Sequence, residues 1–134
     1  VRFSESEGKD LAKADVLIID NIGMLSSLYA YGEMAYVGGA FQNTLHNTVE
    51  PAVYGIPVMF GEHYDKFREA RELIRVGGGH SIKKPQELAD LLNGYVSDAQ
   101  RRKMSGKAAG GYVAQNLGAT EKVVQFYQKM FRRN

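Results

Sequence analysis

The side chains best suited to binding an anionic ligand lie in a polar segment that begins at two glycines. Gly38 and Gly39 end an apolar run, and His46 and Asn47 follow with side-chain hydrogen-bond donors. Free N–H groups at a helix start attract a phosphate or a carboxylate. Glu50 follows one turn later, where a carboxylate can accept two hydrogen bonds from a ribose diol. The segment therefore predicts a site for an anionic group beside a ribose.

The same residues also have a purely structural interpretation. Asn47 and Glu50 have the spacing of a capping box, in which each side chain bonds a backbone N–H at the start of a helix. Capping and ligand binding are compatible, so both interpretations stay open at this point.

Two further segments lie between an apolar run and a helical pattern. In residues 20–25, Gly23 lets the backbone approach a ligand, and the following helix start offers free N–H groups. The alternative there is an Asp20 or Asn21 helix cap followed by a glycine turn. In residues 61–67, His63 would bond either a ligand or the local backbone.

Several other kinds of site are excluded or unsupported. The chain has no Cys, so it can form neither a disulfide nor a thiolate metal site. His46, His63 and His80 are far apart and lack paired metal-ligand spacing, so we predict no metal site. No Gly-x-Ser-x-Gly nucleophile motif is present, and we predict no catalytic residue in this chain.

Length and composition fit one compact domain of ordinary globular type. The chain has 134 residues, of which 44% are hydrophobic and 24% charged. Its net charge of +2 is too small to indicate nucleic-acid binding. No apolar run approaches the roughly 20 residues that a membrane-spanning helix needs.

Short apolar runs alternate with helical patterns along the chain. Strands are predicted for residues 16–19, 34–37, 57–60 and 80–82, and helices for residues 25–29, 47–54, 64–76, 85–96, 98–116 and 120–130. Pro85 opens its helix, Ser97 or Asp98 caps the next, and Thr120 caps the last. Arg2 and Phe3 are a possible remnant of an earlier strand. This order predicts an α/β domain with a Rossmann-like, doubly wound parallel sheet and C-terminal helices.

The central part of the chain resembles a known enzyme family. The matching residues are Leu28-Tyr29-Ala30, Met34-Ala35-Tyr36-Val37-Gly38-Gly39, His46-Asn47-Thr48-Val49-Glu50, Gly55-Ile56-Pro57-Val58-Met59-Phe60-Gly61, His63 and Phe67. In this order they resemble the Kdo (3-deoxy-D-manno-octulosonic acid) transferases, which build the inner core of lipopolysaccharide. The resemblance departs from the family pattern at Met24, where many members have Glu, at Glu62, which replaces Pro, and in the loop 42–45.

This resemblance implies a function and a set of site residues. It implies that residues 1–134 are the donor-binding C-terminal domain of a GT-B glycosyltransferase, and that the N-terminal acceptor domain with the catalytic base is absent from this chain. The donor is CMP-Kdo, no further cofactor or metal is used, and the acceptor is a lipid A precursor. The CMP contacts map to Ile22, Gly23, Met24, Asn47, Thr48, Val49 and Glu50, beside Gly38, Gly39 and His46 of the polar segment.

The resemblance also implies a location, and it leaves rivals open. The full-length enzyme would act at the cytoplasmic face of the bacterial inner membrane, with the membrane surface as a partner. An ordinary solvated face is the favoured interpretation of the basic residues in the last two helical patterns, since an N-terminal half could anchor the enzyme instead. The basic residues that would otherwise face the membrane are Arg101, Arg102, Lys103, Lys107, Lys129, Arg132 and Arg133. One rival is a GT-B transferase or epimerase that uses a UDP-sugar. The other is a non-catalytic α/β interaction module.

Overall fold

A computed structural model describes residues 1–42 and 44–131. The chain forms two compact units, Val1–Gly32 and Glu33–Asn134. The first unit contains a short helix α1 (Leu25–Leu28) and three single-turn 3-10 helices, at Phe3–Glu5, Leu11–Lys13 and Tyr29–Tyr31.

The strand predicted at residues 16–19 is wrong. Ile18 makes one isolated parallel bridge with Arg2, and Val16, Leu17 and Ile18 are 64%, 42% and 50% exposed. The bridge consists of hydrogen bonds from Ile18 N–H to the Val1 carbonyl and from Phe3 N–H to the Ile18 carbonyl, each 2.8 Å. Arg2 and Phe3 therefore do pair with this run. One bridge is nevertheless too short a ladder to make a strand, since a strand depends on continuous pairing with a neighbour.

The second unit contains all the regular strands and the long helices of the described residues. Its elements are β1 (Ala35–Val37), α2 (Val49–Val53), β2 (Val58–Gly61), α3 (Arg68–Val76), β3 (Gly79–Ile82), α4 (Pro85–Ser97), α5 (Ala99–Gln115) and α6 (Ala119–Phe131). The three other predicted strands are thus confirmed to within two residues.

The strands form a parallel sheet in the order β1-β2-β3. Ala35 pairs with Val58, and Val58 pairs with Gly79, so the three strands are in register. Every residue of the central strand β2 is buried, as expected for a parallel strand with both faces covered. The sheet and its intervening helices confirm the predicted α/β, Rossmann-like fold.

The core of the second unit lies between the sheet and the helices α2, α3 and α5. Its buried members are Val37, Ala40, Leu45, Ala52, Val58, Phe60, Ala70, Leu73 and Ala109. Most are small or β-branched, which allows the helices to pack close to the short strands. Burial of these side chains supplies the main stabilisation of the sheet.

Small residues let α5 pack directly on α2. A Cβ at Gly106 would lie 2.0 Å from the Gly55 carbonyl oxygen, and one at Gly110 would lie 3.3 Å from the Gly55 Cα. Gly55 follows α2 with a positive φ of 68°. Helix α5 is continuous through Gly110 and Gly111, because close packing at Gly106 and Gly110 offsets the low helix propensity of glycine.

Several helix boundaries differ from the predictions for local reasons. Helix α3 begins at Arg68 instead of residue 64, since residues 64–67 form a turn closed by a bond from Phe67 N–H to the Tyr64 carbonyl. Asp98 caps α5 by accepting from Arg101 N–H, whereas the Ser97 hydroxyl bonds back to carbonyls of α4. Thr120 lies inside α6, so it is not the cap.

The apolar side chains of α6 are exposed. Val123, Val124, Phe126, Tyr127 and Met130 are 47–61% exposed, and no residue of α6 is buried. Within residues 1–42 and 44–131, none of the helices combines the length and apolar composition that crossing a bilayer requires.

Two of the basic residues on α5, Arg101 and Arg102, contact Tyr95 of α4. The Arg102 guanidinium donates to the Tyr95 carbonyl at 2.6 Å and pairs with Glu33 at 2.7 Å, and its side chain is only 15% exposed. The Arg101 guanidinium lies 5.4 Å from the centre of the Tyr95 ring. Arg132 and Arg133 lie outside the described residues.

Candidate functional site

The loop that follows β1 is closed on the Gly39 carbonyl. That oxygen accepts from Gln42 N–H at 2.8 Å and from Thr44 N–H at 3.2 Å, while the Gly38 carbonyl accepts from His46 N–H at 3.2 Å. Gly39 has a positive φ of 94°, which side-chain-bearing residues rarely adopt. The two glycines thus bring the chain back so that His46 begins the approach to α2.

Two features of the structure require a glycine at position 39. Its φ is positive, and an added Cβ would lie 2.1 Å from the Thr44 carbonyl oxygen and 3.2 Å from His46 Cδ2. The Cβ would therefore collide with the loop itself, and Gly39 acts by letting the loop close.

Asn47 and Glu50 are joined at the start of α2, but not as a reciprocal capping box. Asn47 Oδ1 accepts from Val49 N–H at 2.9 Å, and Asn47 Nδ2 donates to Glu50 Oε1 at 3.0 Å. In a capping box the glutamate would accept from the backbone N–H of the cap residue. Here the Glu50 carboxylate is instead held by the Asn47 side chain, which leaves Oε2 without a hydrogen bond among the described residues.

A cleft of about 300 Å³ opens at this helix start. It is lined by Leu45, His46, Asn47, Thr48, Val49, Phe67 and Glu69. Its volume lies at the lower end of the range for small-molecule sites. The structure thus brings four of the predicted residues to one cleft, whereas Gly38, Gly39 and Glu50 shape or adjoin its wall without lining it.

The cleft combines polar donors with an apolar wall. His46 and Asn47 are exposed, and Thr48 is 4% exposed. Phe67 packs partly against the core and turns part of its surface to the cleft. Such a surface can bind a ligand that has a charged group and a flat or apolar part.

Sequence reasoning missed Glu69 as a site residue and assigned no role to Phe67. Both lie at the start of α3, which follows the third segment singled out, residues 61–67. The signal was therefore present, because ligand sites of open parallel sheets collect at the carboxyl ends of neighbouring strands. His63 belongs to the same segment, and its backbone N–H donates to the Ala40 carbonyl at 3.0 Å.

Ile22, Gly23 and Met24 belong to the first unit. Ile22 is fully exposed, Gly23 has a positive φ of 98°, and Met24 Sδ accepts from the Asn21 amide. The expectation that Asp20 or Asn21 caps the next helix is wrong, since Met24 precedes α1 without a side-chain cap. Asp20 instead accepts from the hydroxyl and the N–H of Ser4, and these bonds lower the pKa of its carboxyl group.

A second polar cluster joins β3, α4 and α5. His80 Nε2 is in hydrogen-bond contact with the Tyr95 hydroxyl and with Ser105 Oγ, and Ser105 Oγ also donates to the Gly77 carbonyl. Burial, and secondly the positive charge of Arg101, lower the pKa of His80. All these polar atoms have partners, so the cluster links three elements of the core.

The described part of the chain holds no group of three acidic or histidine side chains placed to bind an ion.

The chain is similar to several curated enzymes. It is 35% identical over 98 residues to the 3-deoxy-D-manno-octulosonic acid transferase of Aquifex aeolicus, an alignment that covers 72% of this chain and 28% of that enzyme. It is 29% identical over 125 residues to the Bordetella pertussis enzyme of the same name, covering 92% of this chain and 29% of that enzyme. This chain is related to the Kdo transferases. It spans less than a third of the length of these Kdo transferases.

A solved structure has the same fold. The C-terminal CMP-Kdo binding domain of WaaA from Acinetobacter baumannii superposes with a TM-score of 0.72 at 23% identity, over 84% of this chain and 60% of that chain. No protein-family model matches the chain. The likeness in fold agrees with the relation to the Kdo transferases that the sequence alignments show.

Proposed function

We propose that this chain binds CMP-Kdo and serves as the donor-binding domain of a Kdo transferase. The observation that carries the proposal is the cleft, because four residues for which the sequence predicts donor binding line it together: His46, Asn47, Thr48 and Val49. The kinship with Kdo transferases and the fold shared with a CMP-Kdo binding domain support the same assignment.

Different side chains would contact different parts of the donor. The His46 ring and the second amide hydrogen of Asn47 would meet the phosphate, since the Val49 N–H already bonds Asn47 Oδ1. Glu50 Oε2 would accept from the ribose diol while Asn47 holds Oε1 in place. Ile22, Gly23 and Met24 are assigned to the nucleotide by the resemblance alone.

In the reaction, the donor domain would stabilise the departing CMP phosphate by hydrogen bonds that strengthen as charge develops. The catalytic base and the lipid A precursor are assigned to a separate N-terminal domain, and the full-length enzyme to the cytoplasmic face of the inner membrane. We therefore expect the purified chain to transfer no Kdo. Measurable transfer by this chain would contradict the assignment of the catalytic base to a separate domain.

The direct test is a calorimetric titration of the chain with CMP and with UMP. Tighter binding of CMP supports the proposal, whereas preference for UMP would favour a UDP-sugar enzyme. Absence of any nucleotide binding would favour a non-catalytic module.

Glu50→Gln tests the ribose contact. The substitution keeps the size of the side chain but removes a charged hydrogen bond, a loss of about 1.5–3 kcal/mol in CMP affinity. Glu87→Gln is the matched control, since Glu87 Oε2 accepts from Lys83 N–H at 2.8 Å at the start of α4 without lining the cleft. We expect the control to lower the melting temperature slightly and to leave affinity unchanged. If Glu50→Gln behaves like the control, Glu50 has only a structural role.

A further inference from the structure

Glu69, in the first turn of α3, lines the cleft and has no role in the proposed function. Phe67 and Glu69 line the cleft together with residues 45–49, although about 20 positions separate the two segments in sequence. We propose that Glu69 is a further donor-binding residue that accepts hydrogen bonds from sugar hydroxyl groups of the bound nucleotide sugar. The inference rests on the proposed function and adds a residue to its site.

Local geometry keeps Glu69 from serving as a helix cap. Phe67 immediately precedes α3 in an extended conformation, with φ −103° and ψ 105°, and no side chain caps this helix. Phe67 N–H donates to the Tyr64 carbonyl at 2.8 Å. Glu69 lies two residues after Phe67, whereas a capping-box glutamate lies three residues after the cap, and the Phe67 N–H is already bonded. The carboxylate is therefore not held as in a capping box.

Burial, and secondly the negative charge of Glu69, raise the pKa of Tyr112, so the carboxylate interacts electrostatically with α5. It makes no hydrogen bond or ion pair in the described part of the chain, whereas Glu72, three residues later on α3, pairs with Arg75 at 2.8 Å. A glutamate in the first helical turn gains some energy from the helix dipole wherever it points. That effect explains why the residue is tolerated, but the lining of the cleft is what makes it available to a ligand.

Charge determines which part of the donor Glu69 can meet. A carboxylate repels phosphate and carboxylate groups, and it accepts hydrogen bonds from hydroxyl groups. His46 and Asn47 supply the donors that an anionic group needs on the other wall. Glu69 must therefore face the neutral, hydroxyl-bearing part of the ligand, with Phe67 as the apolar surface beside it.

Two parts of the donor carry hydroxyl groups, the ribose and the Kdo sugar, and titrations can separate them. The parent chain, Glu69→Gln and Glu72→Gln are titrated with CMP, with 2′-deoxy-CMP and with CMP-Kdo. Loss of one charged hydrogen bond corresponds to about a tenfold or larger loss of affinity. Glu72→Gln is the matched control, because Glu72 lies on the same helix and does not line the cleft. Phe67 is left unchanged because it also packs against the core.

The outcomes distinguish this inference from the proposed function. A tenfold loss by Glu69→Gln for CMP that vanishes for 2′-deoxy-CMP supports contact with the ribose. A loss for CMP-Kdo alone supports contact with the Kdo hydroxyls. If the parent binds CMP and Glu69→Gln binds every ligand as Glu72→Gln does, the inference is overturned while the proposed function stands. Failure of the parent chain to bind CMP or CMP-Kdo overturns both.

Discussion

Replacing Gly106 with alanine tests the close packing of α5 on α2. The added Cβ would lie 2.0 Å from the Gly55 carbonyl oxygen, 2.9 Å from its carbonyl carbon and 3.2 Å from Ile56 Cα. Non-bonded heavy atoms are comfortable at about 3.5 Å, so the two backbones must separate by roughly 1.5 Å. Only backbone atoms are involved, and no side-chain rotation can relieve the overlap.

Two opposing effects determine how much Gly106→Ala changes the free energy of unfolding. Overpacking costs about 1–3 kcal/mol, and a backbone collision falls at the upper end of that range. Alanine gains about 1 kcal/mol over glycine in a helix interior. We therefore expect Gly106→Ala to lower the free energy of unfolding by about 2 kcal/mol. Each kcal/mol corresponds to roughly 2–8 °C in melting temperature, since a chain of 134 residues lies between the small and the large domains.

Gly111→Ala is the matched control on the same helix. An added Cβ there meets nothing within 4 Å, so only the gain in helix propensity remains, and stability should rise by about 1 kcal/mol. Urea denaturation followed by circular dichroism measures both variants. Equal stability of the two alanine variants would refute the argument that α5 touches the backbone of the turn at Gly55 that follows α2.

Two further predictions concern the loop and the buried histidine. Gly39→Ala should lower both the melting temperature and CMP affinity, because its Cβ would meet the Thr44 carbonyl oxygen at 2.1 Å and its φ is 94°. A variant as stable as the parent would show that the loop tolerates a Cβ at this position. The pKa of His80 is lowered from 6.5, so the unfolded chain binds a proton more readily and stability should fall as the pH drops below that value, by at most about 1.4 kcal/mol per pH unit. His80→Gln should remove this part of the slope in urea denaturation between pH 7 and pH 5, and an unchanged slope would show that other groups cause it.

Local sequence signals were sufficient for much of the fold. The strands β1 and β2 are continuous apolar runs next to glycines, and such runs predict buried parallel strands. Strand β3 contains His80 and Ser81, and its signal in the sequence is weaker. Pro85 and Asp98 start helices in the structure as their local chemistry predicts, because fixed φ and side-chain capping act within one turn. The order of these elements then determined the fold class.

Local signals failed where an element depends on a partner. Residues 16–19 have strand composition, but in the described first unit they find only Arg2 to pair with. Helix α6 has a clear apolar face that no described residue buries. Composition and periodicity state what a segment could bury, whereas pairing and burial depend on what lies beside it.

The candidate site likewise contains features that the local sequence predicts and features that only the tertiary structure shows. The motif from His46 to Glu50 could be recognised from the sequence because its residues lie within one loop and one helix turn. Short-range hydrogen bonds fix its geometry. Three features required the tertiary structure: the arrival of Phe67 and Glu69 at the same cleft, the collision that forbids a side chain at Gly39, and the contact of Gly106 with Gly55. Each joins segments whose spacing in sequence carries no information about distance, because only the parallel pairing of β1 with β2 and the packing of α5 bring them together.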